Sequence, residues 1–139
     1  MNNQTKSKKT NVLVLPRWYP NKTDIQLGIF VQRQVTLMQE DFQMHVVYVQ
    51  AINDQKKDFE LVSNHKNGFA EHIVYFKSGT GLFKRLINLK RYKKAQQIGL
   101  KQIQSEIDLC HVHVPYRPAL LALDLYKKGI PFVITEHWS

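Results

Sequence analysis

A single cysteine, Cys110, stands among the 139 residues. That excludes an internal disulfide framework and is consistent with a reducing compartment. No apolar run approaches the length of a membrane span, so no bilayer-crossing helix is expected. The leader Met1–Lys9 is polar and charged, with nothing apolar before Val12. It does not read as a secretory signal, and residues 1–11 are expected to form a disordered tail ahead of one domain at 12–139. Acidic residues are missing from one long stretch, Lys77 to Lys101, which holds only basic charge. There is no internal repeat, no Gly-x-Gly-x-x-Gly fingerprint after the first apolar run, and no helix-turn-helix, RRM or zinc spacing. These absences leave a cytoplasmic globular domain as the expectation.

What is present alternates. The hydrophobic content of 43% is that of a globular chain. Val12-Leu13-Val14-Leu15 is an unbroken apolar run, suited to a strand covered on both faces. Pro16, Pro20 and Asn21 stop it, a polar loop leads to Gly28, and Phe30, Val31, Val35 and Met38 then follow a helical period. Met44–Val49, His72–Phe76, Leu109–Val114 and Pro131–Thr135 read as four more strands. A long helix is expected over Leu82 to about Glu106, its apolar stripe running Leu86, Leu89, Tyr92, Ala95, Ile98, Ile103, Ile107. A shorter one spans Ala119–Lys128, while Ala51–Gly68 is polar and reads as a loop. Strands alternating with helices imply an α/β fold, a parallel sheet with right-handed crossovers and helices on both faces. In such sheets ligands bind at the carboxyl ends of the strands.

Three segments carry a resemblance. Leu15-Pro16-Arg17-Trp18-Tyr19-Pro20-Asn21 with Gly28-Ile29-Phe30-Val31 and Arg33-Gln34 is similar to the start of GT4-type glycosyltransferases. Asp108–His113 resembles that family's Asp-hydrophobic-His-x-His strand, and Gly129–His137 its Gly-Ile-Pro-hydrophobic-Thr-x-His segment. The resemblance implies a Rossmann-like domain, the acceptor-side, N-terminal half of a GT-B fold. It implies retaining transfer from a nucleotide-sugar, taken as a substrate, with no bound cofactor or catalytic metal. The donor-binding C-terminal domain, with its paired glutamates, would be a partner outside these residues, and the fragment alone would be inactive.

The candidate site residues follow. A glycine ahead of a helix lets backbone amides approach a phosphate, and Gly28 matches the family's donor-phosphate loop; it also reads as a plain turn glycine. His137 matches the family's histidine at the transferred sugar and is the candidate catalytic residue, in a positioning role that neutral imidazole can fill. Arg17, Trp18 and Tyr19 end the first strand, where a guanidinium beside aromatics suits an acceptor sugar or anion, and also suits a covered sheet edge. His113 and Glu136 border the same acceptor pocket. His111 and His113 share one strand face, but a metal set of three or four ligands is not offered.

The basic stretch adds a surface. Lys84, Arg85, Lys90, Arg91, Lys93 and Lys94 share a helix with Leu82, Phe83 and Leu86 near its start. That pattern suits docking on an anionic inner-membrane face, fitting a glycan or lipid-linked acceptor, and equally suits a solvated helix. A net charge of +9 could serve nucleic acid, but the aromatics are not interleaved with the basic run, so no nucleic-acid partner is expected. The rival reading is a non-catalytic flavodoxin-like module binding a phosphate ligand or a partner. Against a phosphoacceptor version, Arg17 follows the first strand and Lys77 ends the third, where acids are needed.

Overall fold

The computed structural model of the chain describes residues 8–66 and 68–137. Its centre is the run Val12–Leu15, where no side chain is more than 1% exposed. The run lies in β1 (Thr10–Pro16), flanked by β2 (Phe42–Ile52) and β5 (Leu109–His113), both parallel to it. β4 (Phe69–Lys77) extends the sheet beyond β2, and β6 (Phe132–Thr135) extends it beyond β5, again in parallel. β3 (Phe59–Lys66) closes the β4 edge antiparallel, giving the order β3-β4-β2-β1-β5-β6.

Alternation along the strands builds a core on each face. Val12 and Val14 join Met44, Val46 and Tyr48 beneath α1 (Ile29–Met38), which contributes Val31 and Val35. Leu13, Leu15, Val47, Cys110 and Val112 point the other way, against Leu121, Ala122 and Leu125 of α3 (Ala119–Tyr126). α2 (Lys84–Leu100) covers that second face further along, packing Tyr92 and Ala95 on Val49, Val74 and Phe76. Each fully buried Val, Leu or Phe contributes roughly 1.5–3 kcal/mol. β1 is enclosed on both faces, by the first cluster on one and the second on the other, which is why its apolar run is unbroken.

Gly99 stays within α2 because the helix needs its missing side chain. A Cβ there would lie 2.6 Å from Val47 Cγ1.

Several expectations are corrected. The sheet is mixed, not purely parallel: part of the supposed loop Ala51–Gly68 is the antiparallel strand β3, and β2 runs on to Ile52. β3 hides in the sequence because it is an edge strand whose side chains are mostly exposed. α2 ends at Leu100 rather than near Glu106, though Ile103 and Ile107 still pack against the core beyond it. Leu86, placed in the buried stripe, is 64% exposed. Thr10 and Asn11, assigned to the tail, belong to β1, where the Asn11 amide donates to Asp108 Oδ2 at 2.8 Å. Lys8 and Lys9 are exposed ahead of the strand, and the rest of that tail, Met1–Ser7, lies outside the described residues.

No helix among the described residues is long and apolar enough to cross a membrane.

Candidate functional site at the carboxyl edge of the sheet

From β1 the chain crosses to β2 by way of α1 on one face; from β4 it crosses to β5 by way of α2 on the other. The sheet therefore opens between the carboxyl ends of β1 and β5. That crevice is the topological switch point where open α/β sheets bind ligands. Pro16 pairs with His113 there, and the Arg17 amide donates to the His113 carbonyl at 3.0 Å.

On the α1 face, three histidines converge. The His111 and His113 rings lie 4.0 Å apart, and His111 Nε2 meets Thr135 Oγ1 at 2.7 Å. His113 Nδ1 and His137 Nε2 are 2.9 Å apart, with ring planes parallel within 2°. Burial, with His111 and His137 adding to it, lowers His113 to about 3, so it is neutral near pH 7. One proton then serves the His113–His137 contact. Whichever ring supplies it, Nδ1 of His137 is the nitrogen left for a ligand, and it has no hydrogen-bond partner among the described residues. Phe30, on the first turn of α1, holds the same ring edge-on at 4.7 Å.

Gly28 stands at that helix start with φ +63°, a left-handed conformation that favours glycine. A Cβ there would lie 2.2 Å from the Trp18 carbonyl oxygen. The glycine thus lets α1 press against the backbone of its own loop. Val31 and Gln32 amides turn back to the Gly28 carbonyl and the Ile29 amide to Gln26, while the Phe30 amide has no partner among the described residues.

The other expected residues divide. Arg17 and Glu136 are exposed and Trp18 half-exposed at the rim. Tyr19 is fully buried, and its hydroxyl bonds the Glu71 carboxylate within the core; burial first, then Glu71, drives its pKa upward. It cannot present a face to an acceptor, so the expected Trp-Tyr platform reduces to Trp18. His113 is 2% exposed and engaged by His137, so it orients its neighbour rather than touching an acceptor. The remaining pair, His137 with the Gly28 turn, comes together on one edge through Phe30.

On the opposite face of the crevice the expected Arg17 meets residues that sequence reasoning missed. Arg17, Val49, Tyr92, Tyr116, Arg117 and Pro118 line a cavity of about 200 Å³. The loop carrying Tyr116 is strained: Val114 has φ +61° and Tyr116 φ +141°. A β-branched residue in the left-handed region is an outlier of the kind that clusters at functional sites. Nothing in the spacing of Arg17, Tyr92 and Arg117 announces the convergence, which the β4–α2–β5 crossover creates.

The basic residues of α2 also divide. Lys84 and Arg85 flank Leu82, Phe83 and Leu86, which are 99%, 69% and 64% exposed. Arg91 instead bonds the Lys77 carbonyl at 2.6 Å, and Lys94 lies over Phe59 at 5.1 Å, both turned toward the hairpin of β3 and β4. Lys90 and Lys93 remain exposed. Among the described residues no group of three or more His, Cys, Asp or Glu is arranged to hold a metal ion. Comparisons with known protein families, curated proteins and solved structures return no match.

Proposed function

We propose that this chain is the acceptor-side, Rossmann-like half of a retaining glycosyltransferase of GT-B architecture, moving a sugar from a nucleotide-sugar to a glycan or lipid-linked acceptor. The observation carrying this reading is the meeting of the Gly28 turn and His137 at the switch point between β1 and β5. On that reading the free Phe30 amide and the positive end of α1 face the donor diphosphate. His137 Nδ1 hydrogen-bonds a sugar hydroxyl, and neutral His113 fixes the ring. The second, nucleotide-binding half closes over this edge and supplies the paired glutamates. The flavodoxin-like alternative gains no support from the edge, where Arg17 occupies the position of an acid.

The test uses the complete reading frame with a panel of nucleotide-sugars. Sugar transfer that falls tenfold or more in His137→Ala, on the order of one lost transition-state hydrogen bond, supports the proposal. A reading frame with no second nucleotide-binding half overturns it.

A specific observation favours peripheral membrane association as part of the same reading. Leu82, Phe83 and Leu86 project beside Lys84 and Arg85, an apolar wedge with basic flanks. Each basic residue near an anionic surface contributes about 1 kcal/mol. Co-sedimentation with anionic vesicles tests it.

A further inference from the structure

We infer that the cavity between the β5–α3 loop and α2 is a binding site for an amphiphilic phosphate, its anion held by Arg17 and Arg117 and its apolar body laid on Leu89 and Leu120. The inference shares Arg17 with the acceptor side of the proposed function, but its test reads ligand binding alone and uses neither Gly28 nor His137.

Charge makes the case for the anion. Arg17 and Arg117 line one cavity of about 200 Å³, and no carboxylate lines it with them. The ion pair among the described residues is Lys22 with Glu60, at the far side of the sheet, so neither guanidinium is neutralised there. An anion placed in the cavity therefore meets two cations and no acid. Aromatic rings hold both forks in place. The Arg17 guanidinium sits 5.2 Å from the Trp18 ring and 5.4 Å from the Tyr116 ring, and Arg117 lies 5.9 Å from Tyr92. A guanidinium held by its face keeps the N–H groups of its edge for planar, bidentate recognition of phosphate oxygens.

The apolar half is contiguous with this cavity. A second groove of about 330 Å³ is lined by Arg85, Leu89, Tyr116, Arg117 and Leu120, so Tyr116 and Arg117 belong to both. It runs between α2 and α3 toward the start of α2. A ligand spanning the two spaces is anionic at one end and apolar at the other. Lipid phosphates and soluble phosphate esters with an apolar body share that chemistry.

Calorimetric titration of the 139-residue chain with dodecyl phosphate, held below its micelle concentration, tests the inference. Saturable one-to-one binding is expected. Arg17→Gln and Arg117→Gln should each weaken it about tenfold or more, the effect of losing a charged hydrogen-bonding partner. Lys101→Gln removes the same charge outside the cavity and should leave affinity within about twofold; circular dichroism checks that each variant is folded. Octyl glucoside, an uncharged amphiphile, should not compete, and inorganic phosphate should bind at least tenfold more weakly. Leu120→Ser should weaken dodecyl phosphate but not inorganic phosphate. Equal loss in Lys101→Gln would reduce the effect to overall charge and overturn the site. Competition by octyl glucoside would overturn the anion, and inorganic phosphate binding as tightly as dodecyl phosphate would overturn the apolar half. If the site holds, Leu82→Ser, which lies outside both grooves, separates the sources: loss of binding to phosphatidic acid vesicles with dodecyl phosphate binding retained points to a lipid, and retention of both points to a free ester.

Discussion

Two connections leave the same edge of the sheet for a helix, and they are built in opposite ways. Residues 17–28, between β1 and α1, are tied down throughout. Asn21 donates to the Tyr19 carbonyl at 2.9 Å and accepts from the Thr23 and Asp24 amides at 2.9 and 3.1 Å; Asp24 then accepts from Gln26 and Leu27. Tyr19 is swallowed by the core, and Gly28 meets the loop's own backbone. Residues 78–83, between β4 and α2, are anchored at their base, where the Ser78 amide donates to the Ile52 carbonyl at 3.0 Å and the Gly79 amide to Asn88 Oδ1 at 2.7 Å. Beyond that they throw Leu82 and Phe83 into solvent. Where a loop satisfies its own polar groups and buries its aromatic, its job is to hold something still. A loop that leaves large apolar groups outside presents them to something else. On the proposed function, the first connection is the positioning device and the second the contact surface.

Breaking the first connection should have the largest effect. Gly28→Ala forces a Cβ against the Trp18 carbonyl and holds alanine at positive φ. The expected loss of stability is on the order of 3 kcal/mol or more, from left-handed backbone cost plus overpacking. Urea unfolding measures it; a loss under 1 kcal/mol would show that the loop yields and does not position. Tyr19→Phe comes next. It removes the hydroxyl bonded to buried Glu71 and leaves a carboxylate short of one donor, though Gln32 and Asn64 still reach it. A loss of about 1–3 kcal/mol is expected.

How much of this was readable in the residues follows from burial. The apolar run of β1, the helical period of α1 and the glycine between them are local signals, so the first connection and its place at the carboxyl edge were legible. The place of His137 just beyond the last strand was legible through its neighbours there. Tyr19 was misread because a polar loop with Pro20 and Asn21 gives no sign that it folds back over β4. That fold depends on Glu71, fifty-two positions away. β3 was missed since Glu60, Ser63, Asn64, His65 and Lys66 carry no apolar alternation, although the Asn67-Gly68 dipeptide is a hairpin signal that could have found it. The Arg17–Arg117 cavity was invisible because Arg17 follows β1 and Arg117 follows β5, a hundred positions apart in sequence, with Tyr92 brought in from α2.

Histidines beneath the two connections sharpen the contrast through pH. His113 lies under the first and His72 in the strand leading to the second; burial, with neighbouring imidazoles, lowers them to about 3 and about 4, from an ordinary 6.5. His72 meets Ser63 Oγ at 2.8 Å while neutral. Because both are lowered, the unfolded chain takes up protons first. Their stabilising contribution is complete above pH 6.5 and is lost as pH falls, through about 4 for His72 and about 3 for His113. Each should steepen the decline by up to about 1.4 kcal/mol per pH unit within its window. His72→Asn and His113→Asn should flatten it, each by about one proton's slope. An unchanged slope in both would assign acid sensitivity to other groups.

The smallest expected effect on stability belongs to the second connection, and that smallness is the point. Leu82→Ser and Phe83→Ser remove apolar groups that are 99% and 69% exposed, so the folded chain has little packing there to lose. Stability should move within about 0.5 kcal/mol. Binding to vesicles rich in phosphatidylglycerol should nonetheless fall several-fold, because each buried methylene lost from the membrane removes about 0.8 kcal/mol. Lys84→Gln with Arg85→Gln should weaken the same binding and reduce its salt dependence, since screening acts on charges held near the surface. A double serine variant that melts several degrees lower while binding vesicles as before would mean that Leu82 and Phe83 serve the fold. The two connections would then differ in degree of order alone, and the contact surface would have to be sought elsewhere on α2.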